Sequence, residues 1–180
     1  MDIAVLPDII SRCKKGDHQA WKMIIDSYSK PVYNIALNFF SDKDIAADIT
    51  QDVFVKLFQN IDKYKNEKNF SAWLFAISRN YCIDYWRKNK RYLQRDVLDE
   101  NISAGIPTPE EDLIKETEVE RLRHKISLLD PDLRIYLIMR DILNFSYQQI
   151  ADQHGVPEGT VKSRINRARI RLTELYFQGD

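Results

Sequence analysis

The sequence predicts an all-α fold, in which two small helical domains are joined by a flexible acidic linker. Long segments repeat apolar residues at helical spacing, and we find no alternating runs with hairpin turns of the kind that form β-sheets. Glycine and proline are few, with 5 and 6 in 180 residues, and 44% of the residues are hydrophobic. This composition is sufficient for one or two globular domains with real cores.

The first half of the chain is predicted to contain about five helices. The first is short and runs from Pro7 to Lys15, after which Gly16 breaks the chain and Asp17 caps the second helix. The packed face of this second helix is marked by a set of apolar and aromatic residues: Ala20, Trp21, Ile24, Ile25 and Tyr28.

A third helix is predicted from about Pro31 to Phe40, and Ser41 or Asp42 should cap a long fourth helix. One face of the fourth helix repeats apolar residues every four positions, at Ile45, Ile49, Val53 and Leu57. The adjoining stripe mixes acidic, amide and apolar groups, at Asp48, Gln51, Asp52 and Val55. Such a stripe is typical either of a solvated helix face or of a surface that docks on a basic partner helix.

The predicted fifth helix follows a lysine-rich loop, DKYKNEKN. Its core stripe is Phe70, Trp73, Leu74, Ile77 and Tyr81, and we expect it to end in the cationic run Arg87, Lys88, Lys90 and Arg91. Tyr64, Tyr85 and Trp86 lie among these cations, and large rings usually stabilise the core of a small helical domain. The alternative is that the rings, lysines and asparagines of this region hold unpaired bases by stacking, phosphate contacts and amide hydrogen bonds.

Charge is segregated along the chain although the formal net charge is zero. Residues 1–95 carry 16 Lys and Arg against 11 Asp and Glu, residues 96–120 carry 1 against 9, and residues 121–180 carry 10 against 7. We therefore predict a domain at 1–95, an acidic linker at 96–108 and a second domain at 109–175. Thr108, Pro109 and Glu111 predict the start of a helix after the linker.

The segment from Asn144 to Leu172 predicts a helix-turn-helix whose second helix is basic. Ser146 and Gln149 can form a capping box, Gly155 permits a left-handed turn, and Pro157 suits the first turn of the next helix. The expected packed face of that helix is Val161, Ile165, Ala168 and Leu172, whereas Thr160, Ser163, Arg164, Arg167 and Arg171 point elsewhere. One face can thus pack while another enters a DNA groove. An ordinary amphipathic hairpin with a solvated basic face is the alternative.

Several function classes lack support in the sequence. Cys13 and Cys82 are far apart and the three histidines are scattered, which predicts buried free thiols and no metal site. Asp130 and Asp132, on either side of Pro131, are better interpreted as helix caps. No GxxxxGK[ST] loop, HExxH motif or nucleophile–base pair is found, so we predict no enzyme and no cofactor. The lack of a long apolar run or a signal peptide predicts a cytoplasmic protein without direct membrane insertion.

Two stretches resemble one family. The stretch AADITQDVFVKLFQNIDKYKNEKNFSAWLFAISRNYCIDYWRK resembles region 2, and SLLDPDLRIYLIMRDILNFSYQQIADQHGVPEGTVKSRINRARIRL resembles region 4, of the extracytoplasmic-function (ECF) group of bacterial sigma-70 factors. The motifs DITQDVF, FSAWLFAISRN followed by IDYWRK, and SYQQIA followed by GVPEGTVKSR have the order and spacing of that family. The resemblance implies a factor that directs core RNA polymerase to promoters and assists DNA opening. Its implied partners are core polymerase, promoter DNA and an anti-sigma factor.

The resemblance also implies roles for individual residues. Polymerase docking is implied for Asp48, Gln51, Asp52 and Phe54. Contact with the single-stranded −10 element is implied for Lys63, Lys65, Asn66, Lys68 and Asn69 of the loop, and for Asn80, Asp84, Arg87 and Lys88 of the following helix. Reading of the duplex −35 element is implied for Glu158, Gly159, Thr160, Lys162, Ser163, Arg164 and Arg167. Trapping an unstacked base costs a few kcal/mol, and stacking offsets about 1–3 kcal/mol per base, so DNA opening requires no covalent chemistry.

The main alternative function is an autonomous helix-turn-helix regulator of the response-regulator type, which should dimerise and bind DNA alone. Its receiver domain would require alternating strands and a phospho-acceptor acid, and the first half of the chain offers neither. In the family the linker runs toward the RNA exit path, where its acids could repel nucleic acid. The alternative, which the sequence favours equally, is that the linker is only a solvated tether. The final LYFQGD resembles a remnant of a protease recognition site, and we assign it no function.

Overall fold

The computed structural model describes residues 5–65, 69–102 and 117–177, and every regular element in these ranges is a helix. The helices are α1 (Leu6–Lys14), α2 (His18–Phe40), α3 (Lys43–Asn60), α4 (Phe70–Ile102), α5 (Glu118–Ser127), α6 (Pro131–Leu137), α7 (Tyr147–His154) and α8 (Glu158–Phe177). A 3₁₀ turn at Ile61–Lys63 follows α3, and a π-helical turn at Ile138–Ile142 follows α6. The predicted all-α class is confirmed.

The first unit of the structure consists of α1 to α4, and the most extensive packing within it is between α2 and α3. Asp17 begins α2 by accepting hydrogen bonds from the backbone N–H groups of Gln19 and Ala20 at 2.8 and 3.2 Å. Asp42 begins α3 in the same way, directly after Ser41, whose left-handed conformation ends α2. The predicted apolar face of α3 is confirmed, with Ile49, Val53 and Leu57 buried and Ile45 half-buried.

Helix α2 is continuous over 23 residues, so the prediction of a separate third helix beginning at Pro31 is wrong. A proline inside a helix removes one hydrogen bond and costs about 3 kcal/mol. Burial offsets this cost, because α2 packs against α3, α4, α5 and α6. Buried in this half are Val32, Ile35, Ala36, Leu37 and Phe39. The packed face predicted for the first half is wrong at Ile25, which is exposed.

Helix α4 extends over 33 residues, so the predicted end at the cationic run of residues 87–91 is wrong. The helix continues through residues 96–102, at the start of the segment that we predicted as a linker. The predicted cap at Thr108 with Pro109 and Glu111 lies outside the described residues. The described α5 begins instead with a capping box between Thr117 and Glu120. The domain division itself stays a prediction.

The second unit consists of α5 to α8, with α6 and α7 packed on α8. The side chain of Asp130 accepts a hydrogen bond from the backbone N–H of Asp132 at 2.9 Å and caps α6, as predicted. The core of this unit is apolar: Ile126, Leu129, Ile135, Leu137, Ile138, Ile150, Val161 and Ile165 are buried. Helix α8 therefore has a firmly fixed inner face.

The two units pack against each other, mainly through α2 and α4 on one side and α5, α6 and α7 on the other. Arg134 of α6 is 4% exposed and donates from Nη1 to the carbonyl oxygen of Phe39 at 2.7 Å and from Nη2 to that of Leu129 at 2.6 Å. The rings of Phe75 and Phe145 meet across the same boundary, with centroids 5.7 Å apart. The predicted flexible linker would not by itself hold the two units in this closed arrangement; these contacts do.

Cys13 and Cys82 are buried free thiols, as the sequence predicts, and burial raises the pKa of Cys82 to about 12. Over the ranges that the structure describes, no group of three or more His, Cys, Asp or Glu side chains could hold a metal ion. A helix long and apolar enough to cross a membrane is likewise not found among the described residues.

Candidate polymerase and nucleic-acid interfaces

The residues with an implied docking role lie together on the outer face of α3. Positions three and four residues apart share one side of a helix, which groups these residues. Asp48, Gln51 and Asp52 are exposed there, and Phe54 is half-buried. The hydroxyl of Tyr81 on α4 donates to the Asp52 carboxylate, and this bond is the main cause that raises the pKa of Tyr81 to about 12. The structure thus groups two acids, an amide and a ring at one solvent-facing site.

An apolar groove of about 1000 Å³ lies beside this acidic stripe, between α2 and α3. Its walls include Trp21, Ile25, Phe54, Val55 and Phe58, and its rim includes Gln51 of the stripe. Phe58 is 62% exposed and Val55 is 49% exposed, which is unusual for large apolar side chains. An apolar groove next to carboxylates is the composition of a surface that receives another protein.

The loop with an implied −10 role is only partly described. Lys63 and Lys65 are exposed, whereas Asn66 and Lys68 lie outside the described residues. The side chain of Asn69 accepts hydrogen bonds from the backbone N–H of Ala72 and the hydroxyl of Ser71, so it caps α4. The ring of Tyr64 contacts the rings of Phe70 and Trp73, with centroids 5.4 and 5.2 Å apart. Tyr64 therefore packs inside the first unit, and base stacking by the rings of this region stays a prediction.

The α4 residues with an implied −10 role face outward at one-turn intervals. Asn80, Asp84, Arg87 and Lys88 are all exposed. The side-chain oxygen of Asn80 accepts two hydrogen bonds from Arg79, at 3.0 and 2.7 Å. These four residues thus lie on one accessible face of α4, and their contact with DNA stays a prediction.

The helix-turn-helix has the geometry that the sequence predicts. Ser146 and Gln149 form a capping box at the start of α7, and Gly155 has a φ of 63° where the chain turns. Pro157 directly precedes α8. The predicted packed face of α8 is confirmed, since Val161, Ile165 and Ala168 are buried and Leu172 is half-buried.

The residues of α8 with an implied −35 role differ in their accessibility. Gly159, Lys162, Ser163 and Arg167 are exposed, whereas Glu158, Thr160 and Arg164 are half-buried. Lys162 forms an ion pair with Glu158 at 2.6 Å. The guanidinium of Arg164 donates to the hydroxyl of Tyr136 and lies 5.0 Å from the centroid of its ring. Arg164 therefore packs on Tyr136 of α6, within its own unit, instead of standing free.

The two later arginines of α8 have acidic partners. Arg169 donates to both carboxylate oxygens of Asp141, and Arg171 pairs with Glu174 at 2.8 Å. Neither residue belongs to the set with an implied −35 role. The Arg171–Glu174 pair is about half exposed, so it contributes little to stability.

A polar cleft of about 360 Å³ lies between α4 of the first unit and the helix-turn-helix unit. It receives Asn80, Asp84 and Arg87 from the −10 set and Arg164 from the −35 set. Residues with two different implied DNA roles therefore border the same cleft, and the closed arrangement leaves no room between them for a duplex. This juxtaposition depends on contacts between distant parts of the chain, so the sequence pattern did not reveal it.

Four residues of this boundary were not singled out from the sequence. Arg79 donates to the carbonyl oxygen of Gln153 at 3.3 Å, and Arg134 bonds to the end of α2. Tyr136 and His154 stack with ring centroids 4.2 Å apart. In the sequence each of these four is an ordinary residue of an amphipathic helix. Only the aromatic rings of Tyr136 and His154 could have indicated that the position is buried.

Comparison with known proteins places both units in one family. A family model described as Sigma-70 region 2 matches residues 24–92, and one described as Sigma-70, region 4 matches residues 119–172. The chain is 31% identical over 172 residues to the ECF RNA polymerase sigma factor SigW of Bacillus subtilis, covering 91% of this chain and 92% of that protein. The chain belongs to the ECF group of sigma-70 factors. This sigma factor is also 30% identical to the ECF RNA polymerase sigma-E factor of Haemophilus influenzae, over 89% of each chain.

Solved structures agree with this assignment of the sigma factor. The sigma factor RpoE of Bartonella quintana, in complex with the anti-sigma factor NepR, is similar with a TM-score of 0.63 and 30% identity. That match covers 86% of this chain and 94% of the other. CnrH in complex with the cytosolic domain of CnrY shares the fold with a TM-score of 0.67 at 21% identity, covering 93% and 94%. This sigma factor therefore acts in transcription initiation, and an autonomous regulator is not favoured.

Proposed function

We propose that this sigma factor docks on core RNA polymerase through the outer face of α3 and recognises promoters with α4 and α8. The single observation that carries the proposal is the coexistence, in one chain of the sigma-70 family, of an acidic stripe beside an apolar groove and a capped helix-turn-helix. The domain division at 1–95, 96–108 and 109–175 belongs to this proposal. The first unit then docks on polymerase and contacts the −10 element, the second unit recognises the −35 element, and polymerase supplies the catalysis.

Docking is supported by the surface chemistry of α3. Asp48 and Asp52 offer negative charge, while Phe58 and Val55 expose apolar surface within reach of the same partner. Complementary charge steers encounter, and burial of exposed rings supplies affinity. A basic, amphipathic helix of polymerase fits this combination. Gln51 and Phe54 link the two parts of the surface, because both border the groove.

Contact with the −10 element is supported by exposed cations and amides near the start and middle of α4. Lys63, Lys65, Arg87 and Lys88 are accessible for phosphate contacts, and Asn80 presents an amide on the same side as Arg87. We assign the same role to the loop residues Asn66 and Lys68, and to Asn69 and Asp84. Phosphate contacts position the strand, whereas amide groups can distinguish bases.

Recognition of the −35 element is supported by the first turns of α8. A recognition helix meets base edges with its N-terminal residues, and here these are Glu158, Gly159, Thr160, Lys162, Ser163, Arg164 and Arg167. The buried face of α8 holds the helix rigidly on α6 and α7, which fixes the direction of these side chains. Arg164 must leave Tyr136 before it can reach DNA. Arg164 also borders the cleft with α4, so separation of the two units is part of the proposed promoter recognition.

We also assign an anti-sigma factor as a partner, on the basis of the RpoE structure with NepR at 30% identity. A non-enzymatic role and a cytoplasmic location belong to the same proposal, because the partners that it names are polymerase and promoter DNA.

The experiment is run-off transcription on genomic fragments with core polymerase, comparing core enzyme alone, core enzyme with this chain, and core enzyme with an Asp48→Lys, Asp52→Lys variant. Discrete transcripts that require the parent chain support the proposal. If no fragment yields a transcript that depends on the chain, the proposal is wrong.

A further inference from the structure

The cleft between the units carries more positive than negative charge. Arg79 and Arg87 enter it from α4 and Arg164 enters it from α8. The carboxylates of Asp84 and Asp132 also border the cleft. Among the described residues, however, none of these three arginines forms a salt bridge with a carboxylate. The cleft thus holds three guanidinium groups against two carboxylates, so positive charge is in excess there.

The partners that two of these arginines do have are neutral. Arg79 donates to the side-chain oxygen of Asn80 and to the carbonyl oxygen of Gln153, and burial lowers its pKa. Arg164 donates to the hydroxyl of Tyr136. Neutral acceptors satisfy the hydrogen bonds of a guanidinium group but do not neutralise its positive charge. A partly buried charge without a counter-charge is unfavourable.

The positive charges of Arg79 and Arg164 both act on the imidazole of His154. Burial, together with the positive charges of Arg79 and Arg164, lowers the pKa of His154 to about 3. No carboxylate contributes to this shift. The imidazole is therefore neutral at physiological pH, and the field in this part of the cleft is positive.

We propose that this cleft binds a small phosphate-type oxyanion, which bridges α4 and α8 and stabilises the closed arrangement of the two units. Guanidinium groups bind such oxyanions through planar, charge-assisted hydrogen bonds, and the cleft volume of about 360 Å³ accommodates an ion of this size. Because Asn80, Arg87 and Arg164 belong to the proposed DNA-contacting sets, a bound anion would compete with promoter DNA. This last consequence rests on the proposed function, whereas anion binding itself does not.

The test is calorimetric titration and thermal unfolding of the full chain with inorganic phosphate, against sodium chloride at matched ionic strength. We expect saturable binding of one ion, and an increase in melting temperature of about 3–6 °C for each tenfold rise in free phosphate above Kd. Hydrogen exchange in α7 and in the middle of α4 should slow when phosphate is bound. Arg79→Gln and Arg164→Gln should each weaken binding by tenfold or more.

Two further variants keep the test decisive. Arg87→Gln changes an exposed cleft residue that folding does not require, and it should also weaken binding. Arg171→Gln removes an arginine of α8 that pairs with Glu174 outside the cleft, and it should bind phosphate as the parent does. Equal stabilisation by phosphate and chloride, or equal binding by the Arg87 and Arg171 variants, would overturn the proposal. Since no polymerase or DNA is present, either result leaves the proposed transcription role untouched.

Discussion

The guanidinium of Arg134 lies 4.6 Å from the centroid of the Phe39 ring while its Nη1 donates to the carbonyl oxygen of the same residue at 2.7 Å. One side chain thereby satisfies the end of α2 and joins it to α6. Phe39 belongs to the region 2 match and Arg134 to the region 4 match. The closed arrangement consequently depends on a contact between residues far apart in the sequence.

Replacement of Arg134 should destabilise this arrangement. Arg134→Ala leaves the carbonyl oxygens of Phe39 and Leu129 without their donor, at about 1–3 kcal/mol for each unsatisfied buried group, although removal of the buried charge offsets part of this. We expect the free energy of unfolding to fall by about 2 kcal/mol in urea titrations. Arg167→Ala, on the exposed side of α8, should change it by under about 0.5 kcal/mol. Similar values for the two variants would show that Arg134 does not hold the units together.

The pH dependence of stability should carry a signature of His154. In the folded chain the pKa of His154 is lowered from 6.5 to about 3, so the unfolded chain binds the additional proton between these values. Stability therefore falls as the pH drops below 6.5, by somewhat less than 1.4 kcal/mol per pH unit because the ring is only partly buried. Melting temperatures of parent, His154→Gln and His18→Gln should be measured between pH 7 and 5. The His154 variant should lose less stability over this range than the other two; parallel curves for all three would refute the assignment.

Charge reversal on the docking stripe should weaken polymerase binding without unfolding the chain. Asp48→Lys with Asp52→Lys changes exposed residues, so stability should move by under about 0.5 kcal/mol for each, while affinity for core polymerase falls and the loss shrinks with added salt. Tyr81→Phe removes the hydrogen bond to Asp52 but keeps its charge, and it should dock normally. Asp26→Lys with Asp62→Lys is the matched control at exposed positions. Equal competition for core polymerase by the two charge-reversed pairs would identify the stripe as a solvated face.

Arg164 and Arg171 should differ in what they contribute at the −35 element. Arg164 lies in the first turns of α8, where base edges are read, so Arg164→Ala should lose about 1–3 kcal/mol on the cognate sequence and relax preference there. Arg171→Ala should weaken all sequences alike and reduce the salt dependence. Activity of both variants on promoters with single −35 substitutions, at two salt concentrations, separates these effects. Equal, sequence-independent losses would transfer specificity to the neighbouring residues of α8.

Local features of this fold were predictable because they depend on a few neighbouring residues. Asp17, Asp130 and the Ser146–Gln149 pair cap the helices that the sequence indicates, and Gly155 adopts the left-handed turn. The break before Pro31 was wrong, because burial of α2 between both units outweighs the cost of an internal proline. Local pattern cannot register such a tertiary contribution.

The candidate site shows the same limit. The α3 stripe and the faces of α4 and α8 follow from helical periodicity, and the structure groups them as expected. The cleft with Arg79, Tyr136 and His154 follows from how the units meet, and the exposure of Ile25 follows from the groove that α2 shares with α3. No local spacing encodes either feature. Assignment of these residues to polymerase or DNA stays a prediction.

The most direct measurement is a footprint of one promoter fragment with the chain alone, core polymerase alone, and both together. The units of the free chain are closed on each other, with Arg164 turned toward Tyr136, so the chain alone should protect DNA poorly. Together with polymerase it should protect the −35 and −10 elements and direct a specific transcript. Tight, sequence-specific protection by the chain alone, with no polymerase-dependent transcript, would contradict the sigma factor account.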